Sequence, residues 1–486
     1  MKTHWNFRSL VSHVVSMVYA LNQIRLNKIL WSYLMILLNF LTMLSLLLPQ
    51  DTNISKFNTE DQWILYIIKF SNFRFILLEI GVPGWVLIII VFALLGLLLV
   101  CYIVLGFYWK LRTEKTVLRI ICYFLGIMQE LFPWLIYIPA LDILLEEVIG
   151  FEEHIAISII AFLALPMTVI YSLIIKYCDL EVQIIPSNYI KTRLTNILYI
   201  LTFGQFVLVL VDKILHQVEG DKIFILFHIL FGVGLGYIYI VDLPIQNFKI
   251  SRFFGIMDLL FIYLTILVHL KIHTSENVET FYFFLLGGAF MVKGFKSAYK
   301  EMKNRILYST DYTSLRSARL DFLVRKIVCY LGPTMDKKGK STYKILVFIR
   351  NHCMQCHNPT CPCKNYDFSK LDIDQSELID RTVFLVAYKD ITIQILASIL
   401  NTKMETMKRE DRINIHLMFA SLLLCHTQEY MRAYLGLTSL TQGRVRVGMN
   451  QRFFLDSVQS DLEKELNSMN TKGRSAKMKF SHIVEF

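Results

Sequence analysis

Charge is scarce in this 486-residue chain: 18% of the residues are Asp, Glu, Lys or Arg, against 55% hydrophobic ones. Soluble domains carry about a quarter charged residues, so this balance excludes an ordinary water-soluble globular protein of the same length. Proline is also scarce, at ten residues, and glycine stands at 21, which excludes collagen-like and Pro/Gly-rich low-complexity chains. Nine cysteines in a chain this long exclude a disulfide scaffold. There is no Walker motif, dinucleotide fingerprint, kinase motif set or His-Glu-x-x-His, so the expectation is a protein that is not an enzyme.

Apolar and aromatic residues are plentiful instead, with 35 Phe, 24 Tyr and 6 Trp. Apolar runs recur near Leu30–Leu48, Gly84–Trp109, Val117–Leu145, Ile155–Lys176, Leu194–Val211, Ile223–Ile240, Phe254–Leu270 and Phe281–Gly294. A helix needs about 20 apolar residues to cross the hydrocarbon, so these predict an all-α polytopic bundle of about eight spans. The last run is the weakest, being short and carrying Gly287, Gly288 and Lys293. The apolar stretch after Lys28 has no small-residue cleavage site, so the first span is expected to remain in the protein.

The net charge of +11 is unevenly placed: residues 1–294 hold 20 basic and 20 acidic side chains, and the whole surplus lies after residue 294. Four regions follow: a basic N-terminus over 1–29, a membrane region over 30–294, a helical domain over 295–468 and a basic tail over 469–486. Lys and Arg are retained on the cytoplasmic side of a membrane. Lys2, Arg8, Arg25 and Lys28, then Lys110, Arg112 and Lys115, then Lys191 and Arg193, then Lys249 and Arg252, and finally the tail all fall on one side of an eight-span path. An integral membrane protein with both termini cytoplasmic is therefore expected. The sequon Asn53-Ile54-Ser55 falls on the opposite side. A basic surface in this setting points to the lipid bilayer and to anionic headgroups, and not to nucleic acid.

Ionisable residues at membrane depth are costly and mark sites or pathways. Glu130, followed by Pro133 and Pro139, is the foremost of these, with Asp258 and His228 beside it as a candidate transmembrane polar site, and Gln205 and Asn39 as further polar residues. They serve either as glue between helices or as part of a conduction path. Gly232 and Gly236 have the spacing that lets two helices approach closely.

After residue 294 apolar positions recur every three or four residues over 315–331, 343–350, 377–400 and 413–435, the pattern of soluble helices and of interaction domains built from helical repeats. Within this part His352, Cys353, Cys356, His357, Cys361 and Cys363 lie in twelve residues, 352–363. Zinc takes four thiolate or imidazole ligands in a tetrahedron, and C-x2-C-x4-C-x-C can supply all four thiolates, with His352 or His357 able to replace one. A metal-free thiol-rich loop and a redox C-x2-C are the alternatives; disulfides are disfavoured on a reducing cytoplasmic face. With four protein ligands a bound Zn2+ would be structural. The HCxxC element also invites comparison with membrane palmitoyltransferases, but no Asp-His-His-Cys nucleophile follows.

The segments Asp242-Leu243-Pro244-Ile245-Gln246-Asn247-Phe248 and Asn351 to Cys363 together resemble multi-pass membrane proteins of the tiny macrocysts type, found in ciliates and social amoebae. Arg412 to Ala420 is similar to the first repeat-like helix pair of that family. The resemblance implies a long membrane region followed by a cytoplasmic His/Cys knuckle, with His352, Cys356, Cys361 and Cys363 at the family positions and Cys353 and His357 as extras. It implies a signalling or scaffold protein that engages a cytoplasmic protein partner. Family members often continue into a PAS-type sensor domain, so a short member or a partial product is expected. The competing expectation, from Glu130, Asp258 and His228, is an ion channel or transporter.

Overall fold

The computed structural model describes residues 21, 29–48, 59–111, 116–150, 155–177, 197–216, 221–242, 247–273, 280–309, 312, 314–331, 340–356, 358–359, 361–365, 381–406 and 412–423. All regular structure among them is helical. The apolar runs become α1 (Ile29–Ser45), α4 (Gly84–Leu111), α5 (Thr116–Leu131), α6 (Tyr137–Gly150), α7 (Ile155–Tyr177), α8 (Ile197–His216), α9 (Asp221–Asp242), α10 (Phe248–His273) and α11 (Thr280–Leu307), with α2 (Thr59–Phe70) and α3 (Phe73–Glu79) between α1 and α4. The soluble pattern becomes α12 (Ser317–Leu331), α13 (Lys340–Gln355), α14 (Arg381–Thr406) and α15 (Arg412–Leu422).

Among the described residues five apolar segments are long enough to cross a membrane, Gly84–Leu105, Ile120–Ile149, Ile155–Lys176, Leu198–Leu215 and Phe248–Leu270, and two shorter ones cover Leu30–Ser45 and Ile223–Tyr239. Their outward faces are apolar: Ile103 is 62% exposed, Phe162 64% and Leu230 57%. Water does not tolerate so much clustered apolar surface, whereas lipid tails do, so the chain is an integral membrane protein.

The third run is not one uniform helix. Pro133 has no N–H, and its ring would clash with the carbonyl four residues earlier in a straight α-helix. The chain widens instead into a π-helical turn over Phe132–Ile136 between α5 and α6. That turn packs on α1 and α7, and its Trp134 carbonyl accepts a hydrogen bond from Asn39 Nδ2 at 3.0 Å. Gln205 Nε2 donates in turn to Asn39 Oδ1 at 2.8 Å, which ties α8 to α1 at the same level.

The ends of several of these helices meet at two rims. At the first, Thr42 near the end of α1 donates to the Ser71 carbonyl at 3.2 Å between α2 and α3. Arg74 of α3 there reaches Asp142 of α6 at 2.5 Å and also pairs with Glu146. Lys213 of α8 meets the same two carboxylates at 2.6 and 2.9 Å. Asp142 and Arg74 are both buried, so each needs the opposite charge of the other. At the second rim, the Tyr239 and Ser251 hydroxyls join the end of α9 to the start of α10, 2.5 Å apart. Tyr33 at the start of α1 packs edge-on against Phe253, 4.7 Å between ring centroids.

Gly232 and Gly236 do bring α9 against α10. A Cβ at Gly232 would lie 2.6 Å from Ile262 Cγ1, and one at Gly236 2.8 Å from an Asp258 carboxylate oxygen.

A second core begins where the first ends. Phe295 of α11 packs on both, and α11 runs unbroken through residue 294, so the change in charge along the sequence falls inside a helix. At the centre of the second core stands α12, which is buried nearly all round and packs on α9, α11, α13, α14 and α15. Its Arg325 and Asp321 pair at 2.7 Å one turn apart.

Arg74→Met leaves the buried Asp142 with a single cation and is expected to lower the stability of the detergent-purified protein by about 3 kcal/mol in a denaturant titration. Glu146→Gln, at a side chain 45% exposed, should cost less than about 1 kcal/mol in the same assay.

Candidate metal centre and buried polar residues

α13 continues to Gln355, past the point at Arg350 where the apolar spacing ends, and this extension builds half of a metal centre. The Cys356 N–H donates to the His352 carbonyl at 2.9 Å, one more helical turn, so the two side chains share a face as residues four apart do. The chain then reverses. The Cys361 N–H donates to the Asn358 carbonyl at 3.2 Å, and Pro362–Asn365 forms a 3-10 turn that returns Cys361 and Cys363 to the same place.

The ligand atoms of His352, Cys356, Cys361 and Cys363 all lie within 4.8 Å of one another. His352 Nε2 is 3.2 Å from Cys361 Sγ. A tetrahedral zinc with Zn–S near 2.3 Å holds its sulfurs roughly 3.8 Å apart, so this group can hold a metal ion after small movements. Three sulfurs and one imidazole are a donor set suited to Zn2+. His352, Cys361 and Cys363 are buried and Cys356 is half-buried, which leaves little room for a substrate ligand.

Burial pushes the Cys353 thiol up to about 11 and also raises Cys356 and Cys363. At Cys361 burial acts the same way, but hydrogen bonds with His352, Ser398 and Cys363 outweigh it and bring the thiol down to about 6. Cys361 is therefore the thiol most ready to be a thiolate, the form that binds metal. Ser398 belongs to α14, and the 3-10 turn packs between α13 and α14, so an ion here would staple those two helices.

Of the six residues that the spacing singles out, the structure thus gathers four. Cys353 follows His352 by one residue, about 100° round the helix, and packs on the core beside the group. His357 lies outside the described residues. The seven cysteines among the described residues, including all four of the knuckle, are free thiols.

The three membrane-depth residues occupy separate surroundings. Glu130 is buried at the end of α5, next to Gln129, whose Nε2 donates to the Tyr102 hydroxyl at 2.6 Å. His228 is buried between Phe224 and Phe261, with Nε2 3.2 Å from the Met43 carbonyl. Asp258 faces Gly236, eight residues or about 12 Å along α9 from His228. Spacing along the chain did not single out Arg74, Asp142, Lys213 and Glu146 as a cluster, nor the buried Lys176, whose Nζ stands 3.2 Å above the Trp134 ring. A carboxylate interrupting the apolar run at Asp142 was the one local signal of the former.

Comparison with known proteins supplies no relative: no family model, curated protein or solved structure matches the chain.

Purified protein is expected to carry one zinc ion per chain by elemental analysis. Cys361→Ser should drop that ratio to near zero and destabilise residues 340–423, and Cys353→Ser should leave it near one.

Proposed function

We propose that this chain is an eight-span membrane protein whose cytoplasmic helical domain, stapled by Zn2+ on His352, Cys356, Cys361 and Cys363, recruits a protein partner in a signalling or scaffold role. The observation that carries the reading is the closed donor set: four protein ligands sunk between α13 and α14 leave no open position of the kind a catalytic zinc needs. The seven apolar segments, together with the first half of α11, make up the eight spans. The loop basic residues support a cytoplasmic position for the rim at Tyr239 and Ser251, and with it α12 to α15. The rim at Arg74 and Asp142 then faces outward. The four ligands are also the residues that occupy the family positions in the resemblance to the tiny macrocysts type.

A second reading, an ion channel or transporter, is favoured by one feature: the π-helical turn beside Glu130, with the buried Lys176 over Trp134 at the same turn. π-turns and membrane-depth charges both concentrate at functional sites. Separate surroundings for Glu130, His228 and Asp258 weigh against a single conduction site, so the first reading is preferred.

Proximity labelling from the C-terminus should mark a defined set of cytoplasmic neighbours that Cys361→Ser loses while still inserting in the membrane. In sealed vesicles, protease added on the cytoplasmic side should remove the knuckle, and a glycan at Asn53 should be protected. Unchanged neighbours in the variant, or a knuckle protected from cytoplasmic protease, would falsify the reading. Ion flux through reconstituted protein that Glu130→Gln abolishes would establish the transporter in its place.

A further inference from the structure

At the junction between the two cores, basic side chains from four helices stand close together. Arg252 lies at the start of α10, Lys300 and Lys303 on the last turns of α11, Lys326 on α12 and Lys344 on α13. Lys326 Nζ lies 3.8 Å from the Phe248 ring centroid and 5.2 Å from that of Tyr330, and Lys344 Nζ stands 5.0 Å from the same Tyr330 ring. Two ammonium groups thus share one aromatic ring. The charges that act on Lys303 are those of Lys344, Lys300 and Arg252, all cations. Among the described residues, Arg252, Lys300, Lys303 and Lys326 have no carboxylate within ion-pair distance. The nearby acids are used elsewhere: Asp321 pairs with Arg325 and Glu301 with Arg305.

Like charges held together raise the energy of the fold, and burial adds to the cost. Burial first, and then Lys303, Lys344 and Arg325, bring the Lys326 ammonium down to about 8; Lys303 is lowered for the same two reasons.

We propose that Arg252, Lys300, Lys303, Lys326 and Lys344 form a binding site for a multiply phosphorylated ligand at the membrane edge, where α10 and α11 meet α12 and α13. Each phosphate carries roughly −1.5 to −2 charges, so two or three phosphate groups match five cations. Lysine ammonium groups suit this ligand because they act as point charges that several phosphate oxygens can share, and Arg252 adds a planar fork. A phosphorylated inositol ring has this chemistry, either as a lipid headgroup or as a free inositol polyphosphate. Occupation would neutralise the cations and bridge the membrane helices to α12, the hub of the second core. The site extends the proposed function by giving the interaction domain a ligand-sensitive hinge, and it depends on that reading only for the side of the membrane it faces.

The full chain in nanodiscs of zwitterionic lipid is titrated calorimetrically with inositol hexakisphosphate, and its melting is compared in discs with phosphatidylinositol bisphosphate or phosphatidylserine at equal charge. Saturable binding of the soluble phosphate identifies a soluble ligand, and stabilisation by the bisphosphate lipid beyond that by phosphatidylserine identifies a headgroup; either result upholds the site. Lys303→Gln with Lys344→Gln should weaken binding by about a hundredfold, about tenfold per cation lost. Arg316→Gln with Lys389→Gln, an equal loss of charge on exposed residues outside the five, should change it less than about threefold. If the first pair melts early, Lys303→Gln alone is used and should still cost about tenfold. No binding by the wild type, or equal losses in the two pairs, overturns the site. A knuckle found on the outer side would overturn the proposed topology and leave this binding result standing.

Discussion

Inside a bilayer the hydrophobic effect does not press one helix against another, because lipid tails are as apolar as the side chains they would replace. The arrangement of the membrane region therefore depends on what lipid cannot supply: partners for buried polar groups and close backbone approach. The buried Asp142 carboxylate, held by Arg74 and Lys213, is the strongest of these contacts. Moving α3, α6 or α8 away from it would strand a charge in low dielectric. The Asn39, Gln205 and Trp134 contacts act in the same way with smaller stakes, and Gly232 and Gly236 let α10 approach α9 closely, Gly236 against the Asp258 carboxylate.

The second core is centred on apolar burial: α12 buries Leu320, Phe322, Leu323, Val324, Ile327 and Val328 on nearly every side. Among the described residues α13 and α14 are joined by a long connection, and the His/Cys group lies between those two helices. The continuous α11 and the shared Phe295 link the two cores.

Much of this was legible along the chain, for reasons that are local. Hydropathy is a property of each segment by itself, and most apolar runs became helices within a few residues of their expected ends, while the one expected over Phe281–Gly294 runs on to Leu307. The exceptions also have local causes. Pro133 split the third run with a π-turn, and α2 and α3 passed unnoticed because Glu60, Asp61, Lys69 and Arg74 dilute their apolar residues. The His/Cys segment stood out because two cysteine pairs within twelve residues need no distant partner to meet. Which four residues meet was another matter. It turned on where α13 ends: its extra turn to Gln355 carries His352 and Cys356 to the returning Cys361 and Cys363, with the Cys353 thiol beside the four and hydrogen-bonded to Cys363.

By itself the sequence determined that the chain is a membrane protein of helices, that its net charge lies in the second part, and that a tetrahedral metal centre has enough ligands near residue 352. Only the tertiary structure decided which charges meet. Arg74 and Asp142 are 68 positions apart, and Arg252, Lys303, Lys326 and Lys344 come from four different helices. Electrostatic interaction falls with distance in space and takes no account of distance along the chain. A list of residues therefore carries the sum of the charges, and only the packed helices decide whether a given charge finds an opposite partner, as at Asp142, or gathers with its own kind, as at Lys303.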